Sequence, residues 1–105
     1  MNKFKIGLTR DLLTPDGQPS FGGGPLEILD KHPNIDWSYL ADNISEITPE
    51  IAADYDGLYV NSPLVSAASV ARDDCRLKIV SRHGVGYDSV DVAALNTRGI
   101  VVTNT

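Results

Sequence analysis

Short apolar runs along this chain alternate with segments of helical spacing, and the succession is regular enough to assign elements. Lys3 to Leu8 alternates and then runs apolar, which predicts a first strand closed by Thr9-Arg10-Asp11. Thr14 to Pro25 is rich in Gly and Pro and predicts a loop, with Pro25 opening a helix whose apolar side is Leu26, Ile28 and Leu29. Lys31-His32-Pro33 ends that helix, and Ile35 to Leu40 predicts a second strand near a sheet edge, given its polar residues. Thr48-Pro49-Glu50 has the order N-cap, proline, acid, and so predicts a helix that packs through Ile51, Ala52 and Tyr55. Asp56-Gly57 feeds a third strand, Leu58-Tyr59-Val60, with Tyr59 expected in the core. Asn61-Ser62-Pro63 stops it, and Ser66 is placed to cap a helix through Ala67, Ala68, Val70 and Ala71.

The stretch Leu77 to Thr105 predicts a complete strand–turn–helix–strand unit. Lys78-Ile79-Val80-Ser81-Arg82 is a β-branched run suited to a buried strand. His83-Gly84-Val85-Gly86 follows, where two glycines lift the usual φ limits. Asp88 and Ser89 are both N-cap types, and Asp91 adds an acid for the first turn. Val92, Ala93 and Leu95 give the apolar face, Arg98 falls in the last turn, and Gly99 is the natural residue past the helix end. Ile100-Val101-Val102 is the fifth strand. Strands joined through helices run parallel with right-handed crossovers, so the pattern predicts an α/β sandwich around a five-stranded parallel sheet of order 2-1-3-4-5. Ligands of such sheets bind beyond the C-terminal strand ends, near the switch between strands 1 and 3.

Three loops meet at that edge: Thr9–Asp11, Asn61–Leu64 and His83–Gly86. The last is the strongest candidate. Amides freed by Gly84 and Gly86 can point at an anion, with the following helix N-terminus adding dipole charge. The competing reading is that the glycines only permit a tight strand-to-helix turn. Asn61 and Ser62 can hydrogen-bond a ligand while Pro63 and Leu64 form an apolar wall, or they are a turn and no more. Histidine is a common acid–base residue, but His83 is expected to line the cleft or satisfy a loop carbonyl rather than to catalyse. Arg82 is expected to form a salt bridge with a nearby acid. Asp88 and Asp91 are better explained by helix capping than by acid–base work. Gly22-Gly23-Gly24 lacks a feeding strand and a following Gly-Lys-Ser/Thr, so it is expected to be a flexible loop.

Arg82-His83-Gly84-Val85-Gly86-Tyr87-Asp88-Ser89-Val90-Asp91, followed by Arg98-Gly99-Ile100-Val101-Val102-Thr103-Asn104-Thr105, resembles the D-isomer-specific 2-hydroxyacid dehydrogenases. The likeness is to the latter half of their N-terminal substrate domain. It implies a flavodoxin-like three-layer sandwich of the same strand order, with residues 1–105 as the N-terminal part of that domain. It further implies that Asn61, Ser62, His83, Gly84, Val85 and Gly86 bind a small 2-oxo or 2-hydroxy acid. The backbone at Val85 and Gly86 would hold the acid's carboxylate or carbonyl, and Val85 would also face the cofactor. The cofactor implied is NAD or NADP, held by a separate Rossmann domain. No Gly-x-Gly-x-x-Gly occurs in this chain, so neither nucleotide is expected to bind it well. The family's catalytic histidine, its acidic partner and a substrate arginine lie downstream of the residues matched here. No catalytic residue and no metal ligand is therefore assigned, and the chain alone is expected to be inactive.

Composition narrows the alternatives. At 105 residues with net charge −5, the chain is one domain without a basic stripe, which argues against a nucleic-acid role. Hydrophobic content of 42% and charged content of 22% fit an ordinary soluble protein with no apolar run of membrane length. The single Cys75 cannot form an internal disulfide, in keeping with a cytoplasmic setting. A stand-alone flavodoxin-like binding module remains an alternative. A receiver-type phosphoacceptor does not, because Asn61 and Thr103-Asn104 stand where its aspartate and lysine would be. The Thr9–Leu13 loop also lacks the hydroxyl-rich character of an FMN phosphate site. A substrate domain without its covering helix and partner domain should expose apolar surface and self-associate.

Overall fold

The computed structural model describes residues 3–19, 24–86 and 88–104. Five parallel strands form one sheet in the order β2-β1-β3-β4-β5, with β1 Phe4–Leu8, β2 Ile35–Tyr39, β3 Gly57–Val60, β4 Ile79–Arg82 and β5 Val101–Asn104. This is the flavodoxin-like α/β arrangement expected, with β1 and β3 side by side at the switch in strand order. Three helices connect the strands: α1 Gly24–Asp30, α2 Pro49–Asp54 and α3 Val92–Thr97.

Strand register sorts the side chains onto two unlike faces. Leu58 pairs with Val80, and Val80 with Val102, on one face. That face carries the main core, in which Val60, Val80 and Leu95 are fully buried with Leu58, Ala52 and Ile100 under α2 and α3. On the other face Leu8 lies beside Tyr59, and Tyr59 beside Ser81, which in turn lies beside Thr103. A smaller cluster of Leu8, Leu12 and Leu26 covers this face near β1, with Ile6, Leu29 and Tyr59 packed against it. Beyond it the face stays open. A groove of about 460 Å³ runs past Ile6, Leu29, Tyr59, Ile79, Ser81 and Thr103. Val101 at the β5 edge is 55% exposed.

Local signals account for most element ends. Thr48 caps α2 by accepting the Ile51 amide on its side-chain oxygen, with Pro49 in the first turn. Gly99 follows α3 with φ +76°, the left-handed conformation that ends a helix at least cost on glycine.

Two expectations are corrected. The segment after Ser66 makes only the single 3₁₀ turn Ala68–Val70, not a helix. Its N-cap is Ala67, which makes no side-chain cap bond, while Ser66 exchanges side chain–backbone bonds with Ser69. Ala67, Ala68 and Ala71, however, face solvent, so there is no apolar stripe to sustain further turns. The cap of α3 is Asp91, which accepts the Ala94 amide, rather than Asp88 or Ser89. Val65 explains the delay: it donates to the Ser89 carbonyl and accepts from the Asp91 amide, holding Ser89–Asp91 extended. Gly22 and Gly23 of the expected flexible loop lie outside the described residues, while Gly24 begins α1.

Candidate functional site

Parallel strands deliver Thr9–Asp11, Asn61–Leu64 and His83–Gly86 to one edge, as the strand order requires. The β1 and β3 loops are tied together. Thr9, 1% exposed, donates its amide to the Tyr59 carbonyl at 3.1 Å and accepts the Asn61 amide on Oγ1 at 3.2 Å. Its hydroxyl donates to Asp11 Oδ1 at 2.6 Å, and the Ser62 amide donates to Asp11 Oδ2 at 2.8 Å. Partial burial alone would raise the Asp11 pKa. The donors on Thr9 and Ser62 outweigh it and hold the carboxyl below its usual range. Asn61 and Ser62 therefore offer a ligand only their side chains, because their amides are already engaged, and the Ser62 hydroxyl also bonds Asp11.

The β4 loop is braced from three directions. Tyr59 projects its hydroxyl to 2.6 Å from His83 Nδ1, with the two rings edge to face at 5.7 Å. Arg82 donates Nη1 to the His83 carbonyl at 2.9 Å and Nε to Ser89 Oγ at 3.4 Å. Asn104, at the end of β5, donates Nδ2 to the Val85 carbonyl at 2.6 Å. The salt bridge expected of Arg82 is absent among the described residues; its guanidinium is consumed by the loop it adjoins. Tyr59, expected simply in the core, instead joins the apolar groove to His83.

The two glycines of the loop have different reasons to be there. Gly84 sits at φ +119°, and a Cβ at that position would collide with the Arg82 guanidinium, so it is required by backbone and packing alike. Gly86 has no positive φ, and a Cβ there would meet no described atom within 4 Å. Among the described residues neither a positive φ nor packing requires glycine at 86. The amides of Val85 and Gly86 donate to no described group, and both residues are exposed, Val85 at 80%. Two unengaged amides beside a surface without a side chain can receive a carboxylate oxygen. The helix dipole expected to assist them does not arise at this loop. α3 begins only at Val92, and its first-turn amide at Ala94 is already satisfied by Asp91.

Sequence reasoning placed Asn61, Ser62 and His83–Gly86 on this edge, and the structure brings them there. It put the Thr9–Asp11 loop on the same edge without giving Asp11 a role, and it missed Asn104 and the bracing role of Tyr59. A Thr-x-Asp just past a strand at the switch point was the available signal for Asp11, since such side chains bond nearby backbone. No group of three or more His, Cys, Asp or Glu is placed to hold a metal among the described residues, and no helix among them is long and apolar enough to cross a membrane. No strand of the described sheet leads into Gly-x-Gly-x-x-Gly.

The chain has known relatives in sequence and in fold. D-3-phosphoglycerate dehydrogenase 3, chloroplastic, from Arabidopsis thaliana is 36% identical over 84 residues, covering 79% of this chain and 14% of the relative. Hydroxypyruvate reductase of Thermotoga maritima is 36% identical over 64 residues, covering 61% of this chain and 20% of the relative. The chain thus spans a small part of the length of these relatives. The crystal structure of the PH0520 protein from Pyrococcus horikoshii superposes with a TM-score of 0.69 at 24% identity, over 98% of this chain and 28% of that one, which shows the shared fold. The model of the D-isomer specific 2-hydroxyacid dehydrogenase catalytic domain matches residues 13–105, and the chain belongs to that family.

Proposed function

We propose that the chain is the N-terminal part of the substrate domain of an NAD- or NADP-dependent oxidoreductase acting on the CH–OH group of a D-2-hydroxy acid. Its share of the task is to bind and orient the acid. The pair of unengaged amides at Val85 and Gly86 carries this reading, because Gly86 has no other structural duty. The acid's carboxylate sits on those amides. Asn61 and Ser62 offer side-chain hydrogen bonds one strand away, and His83, held by Tyr59, lines the same edge. The exposed Val85 side chain is the surface against which a nicotinamide held by another domain would rest. Hydride transfer and proton transfer fall to groups other than these residues, so the chain alone binds acid without reducing it.

Amide NMR of the 105-residue chain tests this directly. Glyoxylate, pyruvate and hydroxypyruvate should shift Val85 and Gly86, and more weakly Asn61 and Ser62. A folded sample whose loop amides respond no more to these acids than to chloride would refute the assignment. The open face of the sheet, with its apolar groove and exposed Val101, is the surface through which the chain should self-associate. Light scattering that finds a monomer at high concentration would count against this. The single cysteine fits a reducing, cytoplasmic location.

A further inference from the structure

The reading of the Val85–Gly86 loop fixes one end of the acid; the inference here rests on that reading and concerns the other end. We propose that Asp11 is a specificity determinant: its carboxylate takes the Ser62 amide while Thr9 takes that of Asn61, so the site takes 2-oxo and 2-hydroxy acids with an uncharged tail and rejects those carrying a second anion such as a phosphate.

The strand order sets the geometry. β3 lies directly beside β4, and adjacent strands are about 4.8 Å apart. A three-carbon acid seated by its carboxylate at Val85 and Gly86 therefore reaches, with its C3 substituent, the loop after β3. Loop amides of this kind could hold a phosphate, but here they are occupied from within the chain. The Asn61 amide donates to Thr9 Oγ1 and the Ser62 amide to Asp11 Oδ2. The carboxylate is not free to swing aside. Its other oxygen takes the Thr9 hydroxyl, and Thr9 is itself buried and tied to the Tyr59 carbonyl. The same donors hold Asp11 ionised at neutral pH.

Within the β3 loop itself nothing offsets that charge. Asn61, Ser62, Pro63 and Leu64 are all uncharged. Arg10, adjacent to Asp11, donates Nη1 to the Leu40 carbonyl at the end of β2, on the opposite side of β1 from β3. Arg82 is engaged by the His83 carbonyl and Ser89. A phosphate arriving at this loop would face a fixed carboxylate with its best donors already taken, whereas a hydroxymethyl tail could bond the Ser62 or Asn61 side chain.

Calorimetric titration of the chain with hydroxypyruvate and with its 3-phosphate, in low salt at neutral pH, tests the proposal. Hydroxypyruvate should bind at least about tenfold more tightly, the scale set by one nearby unit charge near a protein surface. Asp11→Asn should narrow that ratio about tenfold by removing the charge. Asn61→Arg, which leaves Asp11 and its bonds in place, should move the ratio the same way and guards against a folding defect in the first variant. Equal or tighter binding of the phosphorylated acid by the unmodified chain would overturn the proposal, as would a ratio unmoved in a folded Asp11→Asn variant or, where that variant does not fold, in Asn61→Arg. Binding of neither acid would instead refute the reading of the β4 loop, and this inference would fall with it.

Discussion

Substituting each of the two loop glycines by alanine should move stability in opposite directions. At Gly84 the backbone sits at φ +119°, and the added Cβ meets the Arg82 guanidinium. Holding a non-glycine residue in such a region costs about 1–3 kcal/mol. Displacing Arg82 also loosens its bond to the His83 carbonyl, worth about 1 kcal/mol. The smaller entropy of the unfolded alanine chain returns only about 0.4–1 kcal/mol. Gly84→Ala should therefore be less stable by about 2 kcal/mol, the balance of these contributions. At Gly86 there is neither positive φ nor a neighbour within 4 Å among the described residues, so only the entropy effect remains. Gly86→Ala should be unchanged or more stable by up to about 1 kcal/mol, while its affinity for 2-oxo acids falls. Urea unfolding reads both. With a slope of about 1–2 kcal/mol/M, Gly84→Ala lowers the midpoint by about 1–2 M and Gly86→Ala does not lower it. Equal losses in the two variants would mean that Gly86 serves the turn after all, and the case for a ligand-facing glycine would collapse.

Three further outcomes follow from individual contacts. Asp56 accepts the Lys5 amide at 2.8 Å and pairs with Arg76 at 3.0 Å, clasping the start of β1 to the segment before β4; Asp56→Ala should cost about 1–3 kcal/mol in urea unfolding, mostly from the stranded amide. Tyr59→Phe removes the partner of His83 Nδ1, and should cost about 1 kcal/mol while shifting the His83 ring signals in NMR; unchanged ring signals would deny the contact. Because Asp11 has a depressed folded-state pKa, its contribution to stability is present above its unfolded value and is lost as pH falls through the folded one. Unfolding midpoints below about pH 4 should thus fall less steeply in Asp11→Asn than in the unmodified chain, and parallel profiles would contradict the Thr9–Asp11–Ser62 network.

Strands were readable from the sequence because parallel central strands are continuous apolar runs bounded by Gly, Pro and Asn. Leu58–Val60, set between Gly57 and Asn61, carries that signal in full, and Ile79-Val80 opens β4 in the same apolar way. Caps were readable only where local chemistry acts alone. Thr48-Pro49 starts α2 as its residues suggest, whereas α3 starts at Val92, not just after Asp88, because Val65 from a distant segment pairs with Ser89 and Asp91. A cap preference worth about 1 kcal/mol cannot prevail against two backbone bonds supplied by the fold. The same limit applies to the site. His83-Gly84-Val85-Gly86 was visible as a contiguous motif, but Asp11 reaches the Ser62 amide across 51 positions and Asn104 reaches Val85 across 19.

That difference bears on how the site achieves selectivity. The loop proposed to hold the acid's carboxylate is local, written in consecutive residues and dependent on one glycine for its backbone and another for its open surface. The group proposed to screen the acid's tail is contributed from another strand through Thr9 and Asp11, which touch the β3 loop and, among the described residues, make no hydrogen bond to the β4 loop. Carboxylate binding and tail discrimination are therefore physically separable. Substitutions at Asp11 or Asn61 should change which acid binds without altering the Val85 and Gly86 amides. Changes at Gly86 should weaken all acids together. A chain built this way can change substrate by exchanging a charge on the β1 or β3 loop, with the carboxylate loop and its braces from Tyr59, Arg82 and Asn104 left intact.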